Sequence, residues 1–157
     1  MPEKVVIIPT YNEKENIEKM IRKVMSLPGN FHALIVDDGS PDGTADIVRR
    51  LIAEFPGRLF MEERKGKLGL GTAYIHGFRW AIKNSYDYIF EMDCDFSHNP
   101  DDLNRLFAAC AEDGADVAVG SRYVSGGKVQ NWPFDRLLMS YCASLYVRMV
   151  LWLGIHD

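Results

Sequence analysis

The sequence has no excess of positive charge. Across 157 residues, 18 Lys and Arg stand against 22 Asp and Glu, a formal charge of −4. A nucleic-acid surface ordinarily shows a basic patch or stripe, so that class of partner is disfavoured. Cysteine is scarce: Cys94, Cys110 and Cys142 are odd in number and lack metal-ligand spacing. Reduced thiols in a cytoplasmic protein are the simplest reading. Residues 1–8 lack the apolar stretch of a signal peptide, and no run is clean enough to be a transmembrane span. There is no internal repeat, low-complexity tract, linker or Ser-His-Asp arrangement. What remains is an ordinary soluble composition, 47% hydrophobic and 25% charged, long enough for one domain with a real core.

Within that chain, short β-branched runs alternate with amphipathic stretches. Residues 4–8 read as a buried strand closed by Pro9. Asn12 or Asn16 caps a helix whose inner face is Ile17, Met20, Ile21 and Val24, ended by Pro28-Gly29. Residues 33–36 form a second strand, and a helix carrying Ile47, Val48, Leu51 and Ile52 follows Asp42-Gly43-Thr44. Further strands are expected at 59–61, 88–92 and 117–119, and helices at 70–84, 100–113 and 134–153. Such alternation implies parallel βαβ units with helices on both sheet faces. Polar residues cluster just after the strands, at Thr10 to Glu13, Asp37-Asp38, Asp93 to Ser97 and Ser121-Arg122. In open α/β sheets ligands bind outside the carboxyl ends of strands, so these clusters converge on one edge.

The most telling cluster is Glu91-Met92-Asp93-Cys94-Asp95. If the backbone stays extended, Asp93 and Asp95 point to the same side. Paired carboxylates at a strand end suit a hard cation, Mg²⁺ or Mn²⁺, that also holds substrate phosphates. A solvated strand end is the plain alternative. Pro9-Thr10-Tyr11-Asn12-Glu13 offers an aromatic face, an amide and a carboxylate that could seat a base and ribose; taken in isolation, a strand-to-helix turn with Asn as cap is the plainer reading. Val36-Asp37-Asp38-Gly39-Ser40 could bind ribose hydroxyls or a base N–H, or could be a capped turn. A phosphoacceptor receiver would carry its acidic pair after the first strand, whereas this pair follows the second. The glycines around Leu70 lack the spacing of a phosphate loop and suit close helix packing, with Lys67 near a phosphate as a secondary reading. Arg122 and Arg136 have guanidinium forks that match phosphate oxygens. His76 and His98 invite a catalytic reading, but His76 lies mid-helix, and only His98 is close to the carboxylates.

Taken in order, these motifs, together with Gly69-Leu70-Gly71-Thr72-Ala73-Tyr74 and Gly120-Ser121-Arg122-Tyr123, resemble the family 2 glycosyltransferases. The combination is most similar to the dolichyl/polyprenyl-phosphate mannose synthase branch, and Arg136-Leu137-Leu138-Met139-Ser140 sharpens the match. The resemblance implies a GT-A fold: a Rossmann-like, mostly parallel α/β sheet over residues 1–157. It implies an inverting, metal-dependent transferase that moves mannose from GDP-mannose to a polyprenyl phosphate. UDP-glucose or another acceptor, and a non-catalytic nucleotide-sugar-binding module, are the alternatives. Pro9, Tyr11, Glu13, Val36 and Asp38 are then expected to line the nucleoside pocket. Asp93, Cys94 and Asp95 are expected at ribose, diphosphate and metal, with Asp95 the best direct ligand of Mg²⁺ or Mn²⁺. Arg122 and Arg136, with Ser140 one turn beyond, are expected at phosphate groups.

The sequence departs from the family where Ser97 stands in place of a Gln metal ligand, and where Cys94 replaces the usual Ala. Relatives also continue beyond the position of Asp157, so the resemblance implies a chain truncated at its C-terminal end. The expected location is cytoplasmic, peripheral at the cytoplasmic face of the membrane. In the last helix Arg136, Ser140, Ser144 and Arg148 recur every four residues as one polar stripe among apolar neighbours. The helix either packs under downstream chain or lies at a membrane interface.

Overall fold

The computed structural model describes residues 2–121 and 134–151. It divides into two compact units, Met1–Arg105 and Leu106–Asp157. The first holds β1 (Lys4–Thr10), α1 (Ile17–Ser26), β2 (His32–Asp37), α2 (Thr44–Glu54), β3 (Leu59–Glu63), α3 (Leu70–Lys83) and β4 (Tyr88–Glu91). A 3-10 turn, Pro100–Asp102, leads into α4 (Leu103–Ala111), within which the division falls. The second unit contains α5 (Phe134–Leu151).

Among the described residues the sheet has the order β3-β2-β1-β4, and every pairing is parallel. Alternation along the strands builds two cores. Val6 and Ile8 of β1, with Ala33 and Ile35 of β2, face α1 and α2. Val5, Ile7, Leu34 and Val36 face Ala73 and Ala81 of α3. Strands buried on both faces read as continuous apolar runs, as a parallel sheet requires. The helices therefore cover both faces, as the sequence led us to expect. On α1, Ile17, Met20, Ile21 and Val24 are all fully buried. Each such side chain contributes about 1.5–3 kcal/mol of apolar transfer.

Several local expectations change. Pro9 does not close β1, which runs on through Thr10. The Ile7 carbonyl accepts from the Met92 NH, so the alternate residue Pro9 also faces the β4 side. It lies beyond the last β1–β4 pair, Ile7 with Glu91, where a missing N–H costs no ladder bond. Asn16 occupies the N-cap position of α1 without a side-chain capping bond; its amide donates to Glu13 Oε2 instead. The strand expected at 117–119 does not form, and Val117 and Val119 are exposed. Three apolar residues with no paired neighbour lack the cross-strand contacts that stabilise a strand.

In the second unit, Ser144 of α5 is buried, whereas Met139, Tyr146, Met149 and Val150 are exposed. The polar stripe thus includes an inward position, and apolar side chains face outward. The side chains of Arg136 and Arg148, and residues 122–133, lie outside the described residues.

Two consequences can be measured. A Cβ at Gly77 of α3 would sit 2.6 Å from Ile7 Cγ2, so Gly77→Ala must push α3 off β1. Urea unfolding should show a loss of about 1–3 kcal/mol. At the amino end of the strands, His32 Nδ1 lies 2.8 Å from the Tyr86 hydroxyl. Burial, reinforced by Arg58 and opposed by Glu3, holds the pKa of His32 below its ordinary value. The unfolded chain then protonates first on acidification. Stability should fall as pH drops below about 6.5 toward the folded-state pKa. His32→Gln should flatten that part of the pH–stability curve.

Candidate active site at the strand ends

Because the strands are parallel, their carboxyl ends share one edge, and the turns that follow are stitched together there. Asp37 is fully buried. Its carboxylate accepts from the Thr10 hydroxyl at 2.8 Å, the Ser40 NH at 2.9 Å and the Ser40 hydroxyl at 2.6 Å. Ser40 Oγ in turn accepts the Asn12 NH at 3.0 Å, and Thr44 Oγ1 accepts the Glu13 NH at 3.0 Å. Asp42 accepts the NH groups of Lys14 at 3.1 Å and Thr44 at 3.0 Å. Burial acts to raise the pKa of Asp42, but the bonds from Thr44 and Lys14 outweigh it, and the carboxyl lies below its usual range. Asn12 takes a left-handed φ of 62°, a conformation that asparagine tolerates. Tyr11 and Glu13 are thereby presented at the end of β1.

Asp38 has a different set of partners. Its side chain and that of Arg64 are each only 8% exposed. Arg64 Nε donates to Asp38 Oδ1 at 2.6 Å, and the Leu68 NH donates to Oδ2 at 3.0 Å. The same guanidinium reaches Thr72 Oγ1 at 2.9 Å and the Gly69 carbonyl at 3.3 Å. A buried pair of this kind is costly to break from one side, because the remaining charge is left uncompensated. The approach of the two turns needs glycine: Gly39 has φ +69°, and a Cβ there would lie 3.1 Å from the Gly66 nitrogen. Lys67, the secondary candidate for a phosphate, lies against the end of β1. Its ammonium sits 4.7 Å from the centroid of the Tyr11 ring.

At the end of β4 the extended backbone gives way. The strand stops at Glu91, and a turn begins at Cys94 and Asp95. Asp95 Oδ1 accepts the Ser97 NH at 2.9 Å and Oδ2 accepts the Ser97 hydroxyl at 2.7 Å, while Phe96 takes φ 59°. Local side-chain bonding of this type competes with strand geometry. The backbone therefore does not stay extended through Asp95, and the condition that would put Asp93 and Asp95 on the same side of a strand is not met. Burial acts to raise the pKa of Asp95, but the Ser97 bonds and His98 outweigh it, and the carboxyl is held below its ordinary value. Asp93 is half-buried, and its Oδ1 accepts the Tyr74 hydroxyl at 2.9 Å. Burial first, then the Asp93 bond, pushes the phenol's pKa far up, so it stays a donor. Cys94 turns inward and is buried. Burial, then Glu13, Asp95 and Asp93, pushes its thiol up to about 12, which makes it a packing residue rather than a nucleophile.

The edge thus gathers Tyr11, Glu13, Asp38, Asp93 and Asp95. Pro9 and Val36 pair across β1 and β2, with Val36 fully buried beneath. Arg122 and the Arg136 side chain lie outside the described residues, and Ser140 is half-exposed on α5 in the second unit. Sequence reasoning missed Arg64 and the role of Tyr74. Arg64 stands directly after β3, a strand end where an arginine could have drawn attention. Among the described residues no cluster of three or more His, Cys, Asp and Glu could hold a metal. Two carboxylates, one of them kept ionised, nevertheless suit Mg²⁺ or Mn²⁺, which is usually bound by one or two carboxylates plus substrate phosphates.

A doubly wound parallel sheet with acidic turns at its carboxyl edge is an α/β domain whose ligand site lies outside the strand ends. The glycosyl transferase family 2 model matches residues 5–154, and the chain belongs to that family. Its sheet is GT-A-like, parallel with helices on both faces. It is 48% identical over 153 residues to the polyprenol monophosphomannose synthase of Mycolicibacterium smegmatis, covering 98% of this chain and 57% of the relative. It is 44% identical over 153 residues to the undecaprenyl-phosphate mannosyltransferase of Micrococcus luteus, covering 98% and 62%. The chain therefore spans about three-fifths of the length of these curated relatives. A solved structure of S. aureus TarS 1–349 in complex with UDP aligns with TM-score 0.51 at 24% identity, over 59% of this chain and 27% of that 1–349 chain, and shares the fold.

The Asp37 network makes a testable demand. Asp37→Ala would leave Thr10 and Ser40 donors without their charged acceptor. Chemical unfolding should show a loss of about 3 kcal/mol or more, since bonds to charged groups are worth about 1.5–3 kcal/mol each.

Proposed function

We propose that this chain carries the donor-binding and catalytic part of an inverting glycosyltransferase that moves mannose from GDP-mannose to a polyprenyl phosphate. The observation that carries the reading is the gathering of Asp38, Asp93 and Asp95 at the carboxyl edge of the sheet. It is supported by identity, over nearly the whole chain, to a polyprenol monophosphomannose synthase. Tyr11, Glu13 and Asp38, with Pro9 and Val36 beneath, hold the nucleoside. Asp93, Cys94 and Asp95 stand at ribose, diphosphate and metal.

Asp95, with Asp93, would hold Mg²⁺ or Mn²⁺ against the donor diphosphate. A bound divalent ion supplies neutralisation of the charge that builds on the leaving nucleoside diphosphate. A lipid monophosphate acceptor is already anionic near neutral pH, because the second pKa of such a phosphate is about 6. It attacks the anomeric carbon without surrendering a proton, so no side chain must act as base. His76 is then structural, consistent with its 3.1 Å contact to Glu62. His98 is likewise dispensable to chemistry. Arg122 and Arg136 hold phosphate groups, as the family resemblance implies, and Ser140, one helical turn beyond Arg136, adds a hydroxyl donor. No helix among the described residues is long and apolar enough to cross a membrane. A lipid acceptor still requires a membrane surface, and the exposed Met139, Tyr146 and Met149 of α5 suit an interfacial position.

The test is GDP release from GDP-mannose with a short polyprenyl phosphate, run with Mn²⁺, with Mg²⁺ and with chelator. Turnover should require the metal, and Asp95→Ala should weaken metal-dependent donor binding by about 100-fold or more, since even outer partners of a metal site are worth 10–100-fold. Donor binding without transfer would identify a binding module. Preferred turnover of UDP-glucose would reassign the donor. Undiminished activity in chelator would overturn the metal role.

A further inference from the structure

Asp93 and Asp95 are held in unlike ways. Among the described residues Asp95 is braced by its own turn, through Ser97. Asp93 is braced from another element, through the Tyr74 hydroxyl of α3 at 2.9 Å. The position of that hydroxyl is tightly set. The Tyr74 ring packs against the α3-side core. Gly77, three residues on, seats the helix directly on Ile7. The carbonyl of that same Ile7 accepts the Met92 NH, one residue before Asp93. The start of α3 is tied separately to Asp38, because Arg64 bonds Asp38, Thr72 and the Gly69 carbonyl together.

We propose that Tyr74 is a positioning residue: its hydroxyl bonds Asp93 Oδ1 and so fixes the carboxylate's rotation, leaving Oδ2 as the oxygen preferentially offered to the divalent cation that accompanies the nucleoside diphosphate. The proposal rests on the metal reading given above. A carboxylate's terminal torsion is broad and roughly two-fold, so an unbraced Asp93 would present either oxygen, or both. Mg²⁺ in particular demands near-ideal octahedral geometry. Fixing one oxygen by the Tyr74 hydroxyl settles which oxygen is offered and at what angle. Because Arg64 holds Asp38 to the same end of α3, that first turn spaces the nucleoside-side carboxylate from the metal-side one.

The experiment is calorimetric titration of GDP into the purified protein with and without Mn²⁺, alongside Mn²⁺ binding followed by electron paramagnetic resonance. It compares wild type, Tyr74→Phe, Asp93→Asn and the double variant. Tyr74→Phe keeps the ring and removes only the hydroxyl. GDP binding without Mn²⁺ should be unchanged, and the Mn²⁺-dependent gain should fall by about 10- to 100-fold. In the Asp93→Asn background the same change should add almost nothing, because the two residues act through one bond. Effects that add fully, as a general loosening of the fold would give, overturn the proposal. So does an unaltered Mn²⁺ dependence in Tyr74→Phe. A wild-type protein whose GDP binding ignores Mn²⁺ overturns the metal reading instead, and this proposal with it.

Discussion

The buried carboxylate of Asp37 is the constraint on which the site depends. It lies at the last residue of β2 with no solvent exposure and takes hydrogen bonds from Thr10 and from both donors of Ser40. An ionised group in such a place is tolerated only when its lone pairs are satisfied. Satisfying them fixes the end of β1 against the end of β2 and sets the course of the turn beyond. Ser40, Asp42 and Thr44 then accept the amides of Asn12, Lys14 and Glu13. The β1–α1 turn would otherwise carry orphan NH groups at the start of a helix. Here the neighbouring turn serves as its cap, so the backbone that presents Tyr11 and Glu13 is fixed by these bonds.

Charge at this edge is divided by role. Among the described residues Asp37 has no cationic partner, and it is stabilised by neutral donors. Asp38 has Arg64. Asp93 has the Tyr74 hydroxyl and Asp95 has Ser97. Each carboxylate is therefore oriented by a different neighbour, although all lie at the ends of parallel strands. A binding site held within a fraction of an ångström needs such support behind the groups that touch ligand.

Much of the architecture was legible because periodicity reports burial. Ile17, Met20, Ile21 and Val24 can share one face only on a helix, and the β-branched runs of β1 and β2 are continuous because both sheet faces are covered. The site carboxylates were legible for a related reason: polar residues directly after a buried strand have nowhere to go but the carboxyl edge. What was not legible depends on partners distant in the chain. Nothing near Arg64 says that its guanidinium will meet Asp38, 26 residues earlier. Nothing near Tyr74 says that it will meet Asp93, 19 residues later. The turn at Asp95 was hidden for a local reason: Ser97, two residues on, offers both an amide and a hydroxyl to the carboxylate, and that competes with extension. The run at 117–119 has the composition of a strand, but composition cannot supply the neighbour a strand needs.

The strand order β3-β2-β1-β4 also imposes a sequence in time on a chain that emerges from the ribosome amino end first. β1, β2 and β3 are consecutive in space as well as in synthesis, so the half of the edge built from Thr10, Asp37 and Asp38 can close while Tyr88–Glu91 is still being translated. β4 must then return to the far side of β1, carrying Asp93 and Asp95 with it. A nascent chain halted between β3 and β4 would present an open flank along β1, an unpaired edge of the kind that invites a foreign strand. Vulnerability during biosynthesis is therefore concentrated in the interval when α3 is being made.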